Sequence, residues 1–360
     1  MINFLLVHNI ADLGVIMREL CGLYAKEVKS FFEMEGEKGF RAGQLFDWVY
    51  QKGVLDYEEM LNLPKSLREI LKEKVGIGLL TLTQIQDSED QETVKFLWKL
   101  TCGGFIESVL IMSGERRTVC VSSQVGCPAR CAFCASGKEG LIRNLTPAEI
   151  VEQVVQINAF LLKKGEKVSH LVFMGMGEPL ENYGSLIRAL KVLIDPELFH
   201  FSPRKITVST VGMVPNMKRL MTEGIKINLA LSLHAPNQNI RKKIVPYARK
   251  FSFEEVHQAA KDYARFTKRD MTYEYVMIQG INDGEDHAKE LATLLKGEQC
   301  TVNLIPFNPI PGTHLKRPEA GAIETFKNIL TERGVRSTWR YTKGKDIAAA
   351  CGQLALKKNF

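Results

Sequence analysis

The 360-residue sequence contains no apolar run that approaches the length of a membrane-spanning helix. Its apolar start, MINFLLV, has no basic region before it, and Asp12 follows early, so the pattern does not fit a secretory signal peptide. Repeats and low-complexity segments are also absent. Hydrophobic residues make up 45% of the chain and charged residues 25%, a composition that excludes intrinsic disorder. These absences predict a globular cytoplasmic protein with one large α/β domain and a smaller partner domain.

The net charge of +7 is distributed unevenly. Residues 1–95 carry a formal charge of −5, and the rest of the chain carries +12. The positive part contains six short basic clusters: Arg116-Arg117, Arg204-Lys205, Arg241-Lys242-Lys243, Arg249-Lys250, Lys268-Arg269 and Lys316-Arg317. Such clusters favour a polyanionic partner, most often nucleic acid, although charge alone does not separate this from an ordinary solvated surface.

Two hydrophobic patterns divide the chain into domains. Apolar residues recur at helical spacing in residues 40–50 and 57–75, and the polar stretch 84–92 predicts a boundary loop. A hairpin pattern follows. We therefore predict four parts: an N-terminal helical domain (1–93), a β-hairpin extension (94–112), a core domain (113–346) and a C-terminal segment (347–360).

The core domain alternates apolar, β-rich runs with helical patterns. The predicted strands are Thr118–Val125, His170–Met174, Lys205–Val211, Ile227–Leu233, Thr272–Ile278 and Cys300–Ile305. The clearest helix begins at Thr146, where Pro147 and Glu149 complete a capping-box pattern. This alternation predicts a parallel sheet, either open or curled into a barrel, with ligands at the carboxyl ends of its strands.

Three of the eight cysteines lie within the stretch GCPARCAFC, at Cys127, Cys131 and Cys134. In a reducing compartment, clustered thiols indicate metal binding or catalysis. Their spacing would suit one buried helix face, but Gly126 and Pro128 oppose a regular helix. No fourth Cys or His follows at the spacing of a structural zinc site, which normally uses four ligands. Three thiolates on a four-iron cluster would leave one iron for an exogenous ligand. A zinc site or a plain core remains an alternative.

This cysteine loop resembles that of the radical S-adenosylmethionine (SAM) superfamily, in which Cys-x3-Cys-x2-Cys follows the first strand of an incomplete (β/α)6 barrel. Phe133 matches the aromatic residue common before the last cysteine. The resemblance implies an α/β fold, here with a small N-terminal helical domain. It also implies a 4Fe-4S cluster on the three cysteines. The amino and carboxylate groups of SAM would chelate the fourth iron, and the reaction would yield a 5′-deoxyadenosyl radical.

Polar residues at the ends of several predicted strands suggest one pocket for this cofactor. After the strand at 170–174, the turn GMGEP would let the backbone approach a ligand at Gly177 and offer Glu178 to an ammonium group. Three further strands end in similar polar groups. The predicted SAM site consists of Gly177, Glu178, Ser209, Ser232, Leu233, His234 and Asn308. Taken alone, His234 would be more simply explained as a structural histidine.

Several further motifs, in order along nearly the whole chain, narrow the resemblance. They are FRAGQLFDWVYQKGV, VCVSSQVGC, RNLT, MGMGEP, STVG, LSLHAPN, LIPFNP and DIAAACGQLA. Together they resemble the RlmN family of radical SAM adenine C2-methyltransferases. The resemblance implies methylation of carbon 2 of an adenosine in the peptidyl-transferase centre of 23S rRNA, and of the adenosine 3′ to the anticodon in some tRNAs. A sister family that methylates carbon 8 of the same rRNA adenosine is the alternative. A zinc-stabilised RNA-binding protein is a more remote one.

The resemblance also implies roles for three residues outside the cluster. Cys351 would carry the methyl group as S-methylcysteine, Cys120 would resolve a covalent protein–RNA intermediate through a transient disulfide, and Glu107 would accept the C2 proton. Taken alone, Glu107 would more simply face outward; burial would instead raise its pKa toward the working range of a base. The resemblance further implies two SAM molecules per turnover, an N-terminal domain that helps hold RNA, a monomer, and an electron-donating reductase system such as flavodoxin. Residues 128–130 (PAR) differ from those of many relatives. Because these residues contribute no sulfur, the difference concerns the surroundings of the cluster and not its ligands.

Overall fold

The computed structural model describes residues 18–340 and 343–354. The first 17 residues of the predicted N-terminal domain and residues 355–360 of the predicted C-terminal segment lie outside this range. The α-helices are α1 (Ala25–Met34), α2 (Phe40–Phe46), α3 (Lys65–Lys74), α4 (Pro147–Leu162), α5 (Tyr183–Ile194), α6 (Val214–Leu220), α7 (Gln238–Ile244), α8 (Phe253–Thr267), α9 (Glu285–Leu294) and α10 (Ala320–Glu332). Short 3-10 turns cover Leu20–Gly22, Tyr57–Glu59, Ala135–Gly137, Pro203–Lys205 and Pro246–Arg249, and a π-helical turn covers Asp47–Gln51.

The strands are β1 (Arg18–Glu19), β2 (Val75–Gly76), β3 (Leu80–Asp87), β4 (Thr93–Leu100), β5 (Phe105–Ser113), β6 (Arg116–Cys120), β7 (Gln124–Gly126), β8 (Leu141–Asn144), β9 (His170–Phe173), β10 (Ile206–Thr210), β11 (Asn228–Ser232), β12 (Met271–Met277), β13 (Cys300–Pro306) and β14 (Arg336–Trp339). Ten of them form one sheet in the order β14-β13-β12-β11-β10-β9-β6-β5-β4-β3. Strands β6 and β9 to β14 are parallel, while β5, β4 and β3 extend the sheet antiparallel.

This sheet confirms the predicted incomplete barrel. The parallel part begins at β6 and ends at β14, and within the described residues these two strands do not pair, so the barrel stays open. The structure corrects two details of the prediction. A seventh parallel strand, β14, was not predicted. The run Thr118–Val125 is divided, because β6 ends at Cys120 and β7 pairs with β8 in a separate ribbon.

The region before the hairpin also differs from the prediction. Residues 84–92 were predicted as a boundary loop, and the first ninety residues as helical, but β3 covers Leu80–Asp87 and pairs with β4. The last helix of this region is α3. Most side chains of β3 are exposed or half-buried, because it is the edge strand of the sheet. An edge strand needs few apolar residues, so its sequence LTLTQIQD resembles a loop. The other proposed domain limits remain predictions.

Helix α4 connects the small N-terminal domain to the barrel. It begins with the predicted capping box: the Thr146 hydroxyl accepts from the Glu149 amide at 3.2 Å, and the Glu149 carboxylate accepts from the Thr146 amide at 2.9 Å. Glu152 on α4 accepts hydrogen bonds from three consecutive backbone amides, those of residues 78–80, at 2.6–3.2 Å. Burial raises the pKa of Glu152 to about 7. Gly53, at φ 69°, packs so closely on Ala159 that an added Cβ would lie 2.5 Å from the alanine Cβ.

Among the described residues, no helix is both long enough and apolar enough to cross a membrane.

Candidate active site

A cavity lies at the carboxyl ends of the parallel strands, where the sequence predicts the site. It contains about 850 Å³ of space between atoms, including space open to solvent, which is within the range of small-molecule pockets. Most of the predicted site residues line it: Cys127, Cys131, Cys134, Gly177, Glu178, Ser209, Ser232, His234, Asn308 and Cys351. Leu233, Cys120 and Glu107 do not line this cavity. One pocket therefore contains both the cysteine loop and the predicted carrier cysteine.

The cysteine loop is held by backbone hydrogen bonds to several neighbouring segments. The Cys127 amide donates to the Gly140 carbonyl at 2.9 Å, and the Cys134 amide to the Cys131 carbonyl at 3.1 Å. Between the last two cysteines, the Ala132 amide donates to the carbonyl of Ile244 at the end of α7, at 2.9 Å. These bonds fix the loop with all three cysteines on the cavity wall.

The three thiols fit an iron–sulfur cluster better than a single metal ion. Within residues 18–340 and 343–354, no group of three or more His, Cys, Asp or Glu side chains is arranged to hold one ion. In a 4Fe-4S cluster each thiolate binds a different iron, so sulfurs spaced around a cavity suit it. Burial raises the pKa of Cys127 to about 12 and also raises the pKa values of Cys131 and Cys134. Metal binding would compensate the cost of the buried thiolates.

Glu178 is buried, and backbone amides hold its carboxylate in place. One oxygen accepts from the Val211 amide at 2.9 Å, and the other from the Leu180 amide at 3.1 Å. Burial raises the pKa of Glu178 to about 7, against the lowering effect of these hydrogen bonds. Beside it, Gly177 has φ 108°, and an added Cβ would meet Ser123 and Gln124 at 2.7–2.8 Å. A carboxylate fixed in this way can receive an ammonium group of a ligand.

The end of β11 supplies the next part of the wall. The hydroxyls of Ser209 and Ser232 lie 3.1 Å apart. His234 Nδ1 accepts from the Val276 amide at 3.0 Å, and its ring meets the edge of Phe133 with centroids 4.7 Å apart. Burial, with a smaller effect of Arg241, lowers the pKa of His234 to about 3, so the ring is neutral. The histidine is therefore a structural contact between this strand end and the cysteine loop.

The segment 343–354 places Cys351, the predicted carrier cysteine, on the cavity wall. The Asn308 side-chain amide donates to the Cys351 carbonyl at 3.1 Å, and the Ala135 amide to the Gly352 carbonyl at 2.7 Å. The Ser136 hydroxyl donates to the Leu354 carbonyl at 2.6 Å. The segment is thus attached, at Cys351 and the residues after it, to Asn308 just beyond β13 and to the turn that follows the cysteine loop.

Cys120 and Glu107 lie behind this wall, on one face of the sheet. Cys120 ends β6 opposite Val109 of β5, and Glu107 lies two residues from Val109 on the same strand face. Burial raises the pKa of Cys120 to about 12, and the second cause is the nearby charge of Cys351. Glu107 is only 2% exposed, and Lys95 Nζ lies 3.2 Å from its carboxylate. The carboxylate therefore faces inward, and its charge is compensated.

Three charged residues near the thiols were not found from the sequence. Lys95 pairs with Glu107, while Arg340 lines the cavity and lies 3.6 Å from the buried carboxylate of Glu274. Arg340 lowers the pKa values of Cys120 and Cys351 against the larger effect of burial. Charged residues within the largely apolar strands TVKFLWKL and MTYEYVM are the sequence signal that could have identified Lys95 and Glu274.

One member of the predicted basic clusters is not a surface residue. Lys242 and Lys243 are exposed, but Arg241 is fully buried and bonded to backbone carbonyls. Arg117 is only half-buried and pairs with Glu166 at 2.5 Å. The clusters therefore contribute fewer free cations to a polyanion-binding surface than the sequence suggests.

Known protein families match both the N-terminal domain and the core domain of this chain. Residues 18–77 match the ribosomal RNA large subunit methyltransferase N-terminal domain, and residues 121–292 match the radical SAM superfamily. A probable dual-specificity RNA methyltransferase RlmN 2 from Protochlamydia amoebophila is 59% identical, covering 92% of this chain and 93% of its own. The dual-specificity RNA methyltransferase RlmN of Marinobacter nauticus is 44% identical, covering 93% and 92%.

A solved structure agrees with these relatives. The crystal structure of a radical SAM methyltransferase from Sphaerobacter thermophilus matches with a TM-score of 0.92 and 43% identity, covering 94% of this chain and 99% of that one. The radical SAM family carries a 4Fe-4S cluster and SAM, which the three cysteines and the strand-end cavity fit. Identity at this level over almost the whole chain shows that the protein belongs to the RlmN family of radical SAM RNA methyltransferases.

Proposed function

We propose that this protein methylates carbon 2 of one adenosine in the peptidyl-transferase centre of 23S rRNA, and of the adenosine 3′ to the anticodon in some tRNAs. The observation that carries the proposal is the position of Cys351, on the wall of the cavity that the cysteine loop also lines. Its relatives' names, which describe dual-specificity RNA methyltransferases, support two kinds of RNA substrate.

The reaction needs a radical route because carbon 2 of adenine is electrophilic and bears an unreactive hydrogen. When bound, the cluster and SAM supply a radical that abstracts hydrogen. Cys127, Cys131 and Cys134 would hold the cluster. Glu178 would receive the ammonium group of SAM, and the remaining strand-end residues would surround the rest of that molecule.

Cys351 acts as the methyl carrier. Its thiolate accepts a methyl group from one SAM, and a second SAM is consumed when the S-methyl group loses a hydrogen atom. The resulting S-methylene carbon bonds to carbon 2 and links the protein to RNA. Asn308, bonded to the Cys351 carbonyl, holds the carrier at the cavity during these steps.

Glu107 and Cys120 act in the release of the methylated RNA from the protein. The RNA adduct must lose one electron, for which the bound cluster would be the acceptor, and Glu107 would accept the C2 proton. The Cys120 thiolate then attacks the sulfur of Cys351, so that a disulfide forms and the sulfur–carbon bond breaks. The electron pair remains on the methylene carbon, and a proton completes the methyl group. Cellular thiols reduce the disulfide before the next cycle.

RNA binding follows from the exposed basic residues. Lys242, Lys243, Arg249 and Lys250 are exposed and would contact phosphates. The target adenine must leave its stack to reach the cavity. In this proposal the N-terminal domain assists binding through local cations, the enzyme acts as a monomer in the cytoplasm, and a reductase system such as flavodoxin supplies electrons.

The substitution Cys120→Ala tests the mechanism. Without the resolving thiol, the protein expressed in cells should accumulate as a covalent RNA adduct, seen as a mass shift that nuclease treatment removes. The matched controls are Cys102→Ala, which removes an exposed thiol of the hairpin turn, and the double variant Cys120→Ala/Cys351→Ala. Neither control should accumulate the adduct, because Cys102→Ala keeps the resolving thiol and the double variant lacks the carrier thiol. Absence of an adduct in the single variant would contradict the covalent mechanism.

Mass spectrometry of RNA nucleosides tests the position of methylation. We expect 2-methyladenosine in both rRNA and tRNA from cells that express the protein as their only such enzyme. The appearance of 8-methyladenosine without the 2-methyl isomer would favour the sister activity. Zinc without iron or sulfide in anaerobically purified protein would favour a non-catalytic RNA-binding protein.

A further inference from the structure

Arg241 on α7 joins the ends of two strands that form the cavity. Its Nε donates to the Leu233 carbonyl at 3.1 Å, and its Nη2 donates to the carbonyls of Val211 at 2.5 Å and Ser232 at 3.2 Å. These carbonyls lie at or just beyond the ends of β10 and β11. The side chain is 0% exposed and does not line the cavity. Arg241 therefore lies in the protein behind the cavity wall.

The same helix contacts the cysteine loop. One turn after Arg241, the Ile244 carbonyl accepts from Ala132, which lies between Cys131 and Cys134. Residues three apart in a helix share a face, so Arg241 and Ile244 lie on the same side of α7. Burial lowers the pKa of Arg241 to about 10, and the charges of Cys131 and Glu178 oppose that change. The guanidinium is thus a cation between the strand ends and the loop.

This cation is incompletely compensated. Its Nη1 is buried and has no hydrogen-bond partner in the described part of the chain. No carboxylate in the same ranges forms an ion pair with it. A buried charge that is balanced mainly by carbonyl dipoles is costly. The nearby anions whose charges act on it are Glu178 and, when the loop binds iron, the thiolate of Cys131.

We propose that Arg241 is the counter-charge of the cysteine loop, and that it raises the one-electron reduction potential of the bound cluster. Reduction makes the cluster and its thiolates more negative, and a fixed nearby cation stabilises that state. Arg241 is a positioning residue, since it touches neither cofactor nor substrate. The inference rests on the family's cluster and does not depend on which RNA carbon is methylated.

Redox titration of three variants tests this role. The full chain and its Arg241→Met, Arg241→Gln and Arg241→Lys variants would be reconstituted anaerobically with iron and sulfide, and titrated with dithionite without RNA at pH 7. Electron paramagnetic resonance would follow the reduced cluster. We expect a more negative midpoint potential in the Met and Gln variants and a near-native potential in the Lys variant, which keeps the charge and loses the forked hydrogen bonds.

Arg269→Met is the matched control. Arg269 is also partly buried, but its Nη1 donates to Asn228 at 2.8 Å, at the opposite end of β11. Its loss should leave the potential unchanged. Native potentials in the Met and Gln variants with full iron and sulfide would overturn the proposal, as would an equal shift in the Lys variant.

Cluster content and folding complete the test. Loss of iron from the Met and Gln variants but not from the Lys variant would support the proposal, whereas equal loss from all three would contradict it. Thermal unfolding would identify a variant that does not fold; if Arg241→Met fails in this way, the Gln and Lys variants still compare neutral with charged side chains. Failure here would leave the nucleoside and adduct experiments unaffected.

Discussion

Two sets of cysteines lie in or near one cavity, and the chain assembles them differently: one set is the three cysteines of the loop, and the other is Cys120 and Cys351. Cys127, Cys131 and Cys134 lie on one loop whose backbone bonds to neighbouring segments fix it. Cys120 is a buried residue at the end of β6, and Cys351 lies on a segment that Asn308 and the turn after the cysteine loop hold in place. A short sequence therefore encodes the predicted cluster site, whereas Cys120 and the predicted carrier Cys351 come from distant parts of the chain. The two sets should respond separately to substitution.

The largest expected effect separates these two sets directly. Cys127→Ser should lose the cluster and all methylation, because sulfur is the ligand that iron–sulfur clusters require. Cys351→Ser should also lose all methylation but keep the cluster, because Cys351 is not one of the loop ligands. Iron and sulfide analysis, together with nucleoside mass spectrometry, measures both properties. Loss of iron from the Cys351→Ser variant would show that the two sets are not independent.

Glu107→Gln should reduce turnover by about 10²- to 10⁴-fold, the usual contribution of a general base, without changing iron content. The amide cannot accept the C2 proton, and the covalent RNA adduct should accumulate. Single-turnover kinetics with RNA would measure the rate. Glu73→Gln is the matched control, since it changes an exposed carboxylate of α3 and should leave turnover native. Native turnover in the Glu107→Gln variant would contradict the proposed role of Glu107 as the proton acceptor.

The carboxyl of Glu152, remote from both sets, should change stability without changing the site. Its pKa is about 7 in the folded protein against 4.5 ordinarily, so the folded state holds the proton more tightly. The protonated carboxyl therefore contributes to the free energy of unfolding, with a maximum of about 3 kcal/mol. This stabilisation is fully present below pH 4.5 and is lost as pH rises through 7. Glu152→Gln should remove this pH dependence. Denaturant unfolding at pH 5 and pH 8 would measure the free energy of unfolding of both proteins. An equal change in this free energy between the two pH values in both proteins would contradict the prediction.

The smallest expected effect concerns a hydrogen bond between the turn after the cysteine loop and the segment that carries Cys351. Ser136→Ala removes the 2.6 Å hydrogen bond from the cysteine-loop side to Leu354, and should lower the free energy of unfolding by about 1 kcal/mol. Cluster content should remain native. Hydrogen exchange of residues 343–354 should increase, because this bond anchors the segment. If exchange is unchanged, the segment is held by its other contacts, such as that of Asn308.

The sequence predicted most of the site because parallel strands place their carboxyl ends together. Ser209, Ser232 and Asn308 could be assigned to one pocket from that rule alone, and the cysteine loop from its spacing. The roles of Cys120, Cys351 and Glu107 came only from family resemblance, since no local pattern connects them.

The remaining features depend on contacts distant in sequence. The edge strand β3 has the polar composition of a loop, and its pairing with β4 decides its structure. Lys95 and Arg241 look like surface cations, and only the burial of their strand and helix faces shows otherwise. Such burial depends on which segments cover each face, which a single sequence does not specify.

The segment 343–354 has a practical consequence for protein chemistry. Cys351 lies on a short segment that hydrogen bonds of Asn308 and Ser136 hold at the cavity. Because the segment is short, a synthetic peptide that covers it could be joined to the remainder of the chain by protein ligation. The peptide could carry an isotopically labelled S-methylcysteine, or selenocysteine, at position 351. The first turnover of such a semisynthetic enzyme would report the fate of each carbon and hydrogen of the transferred group.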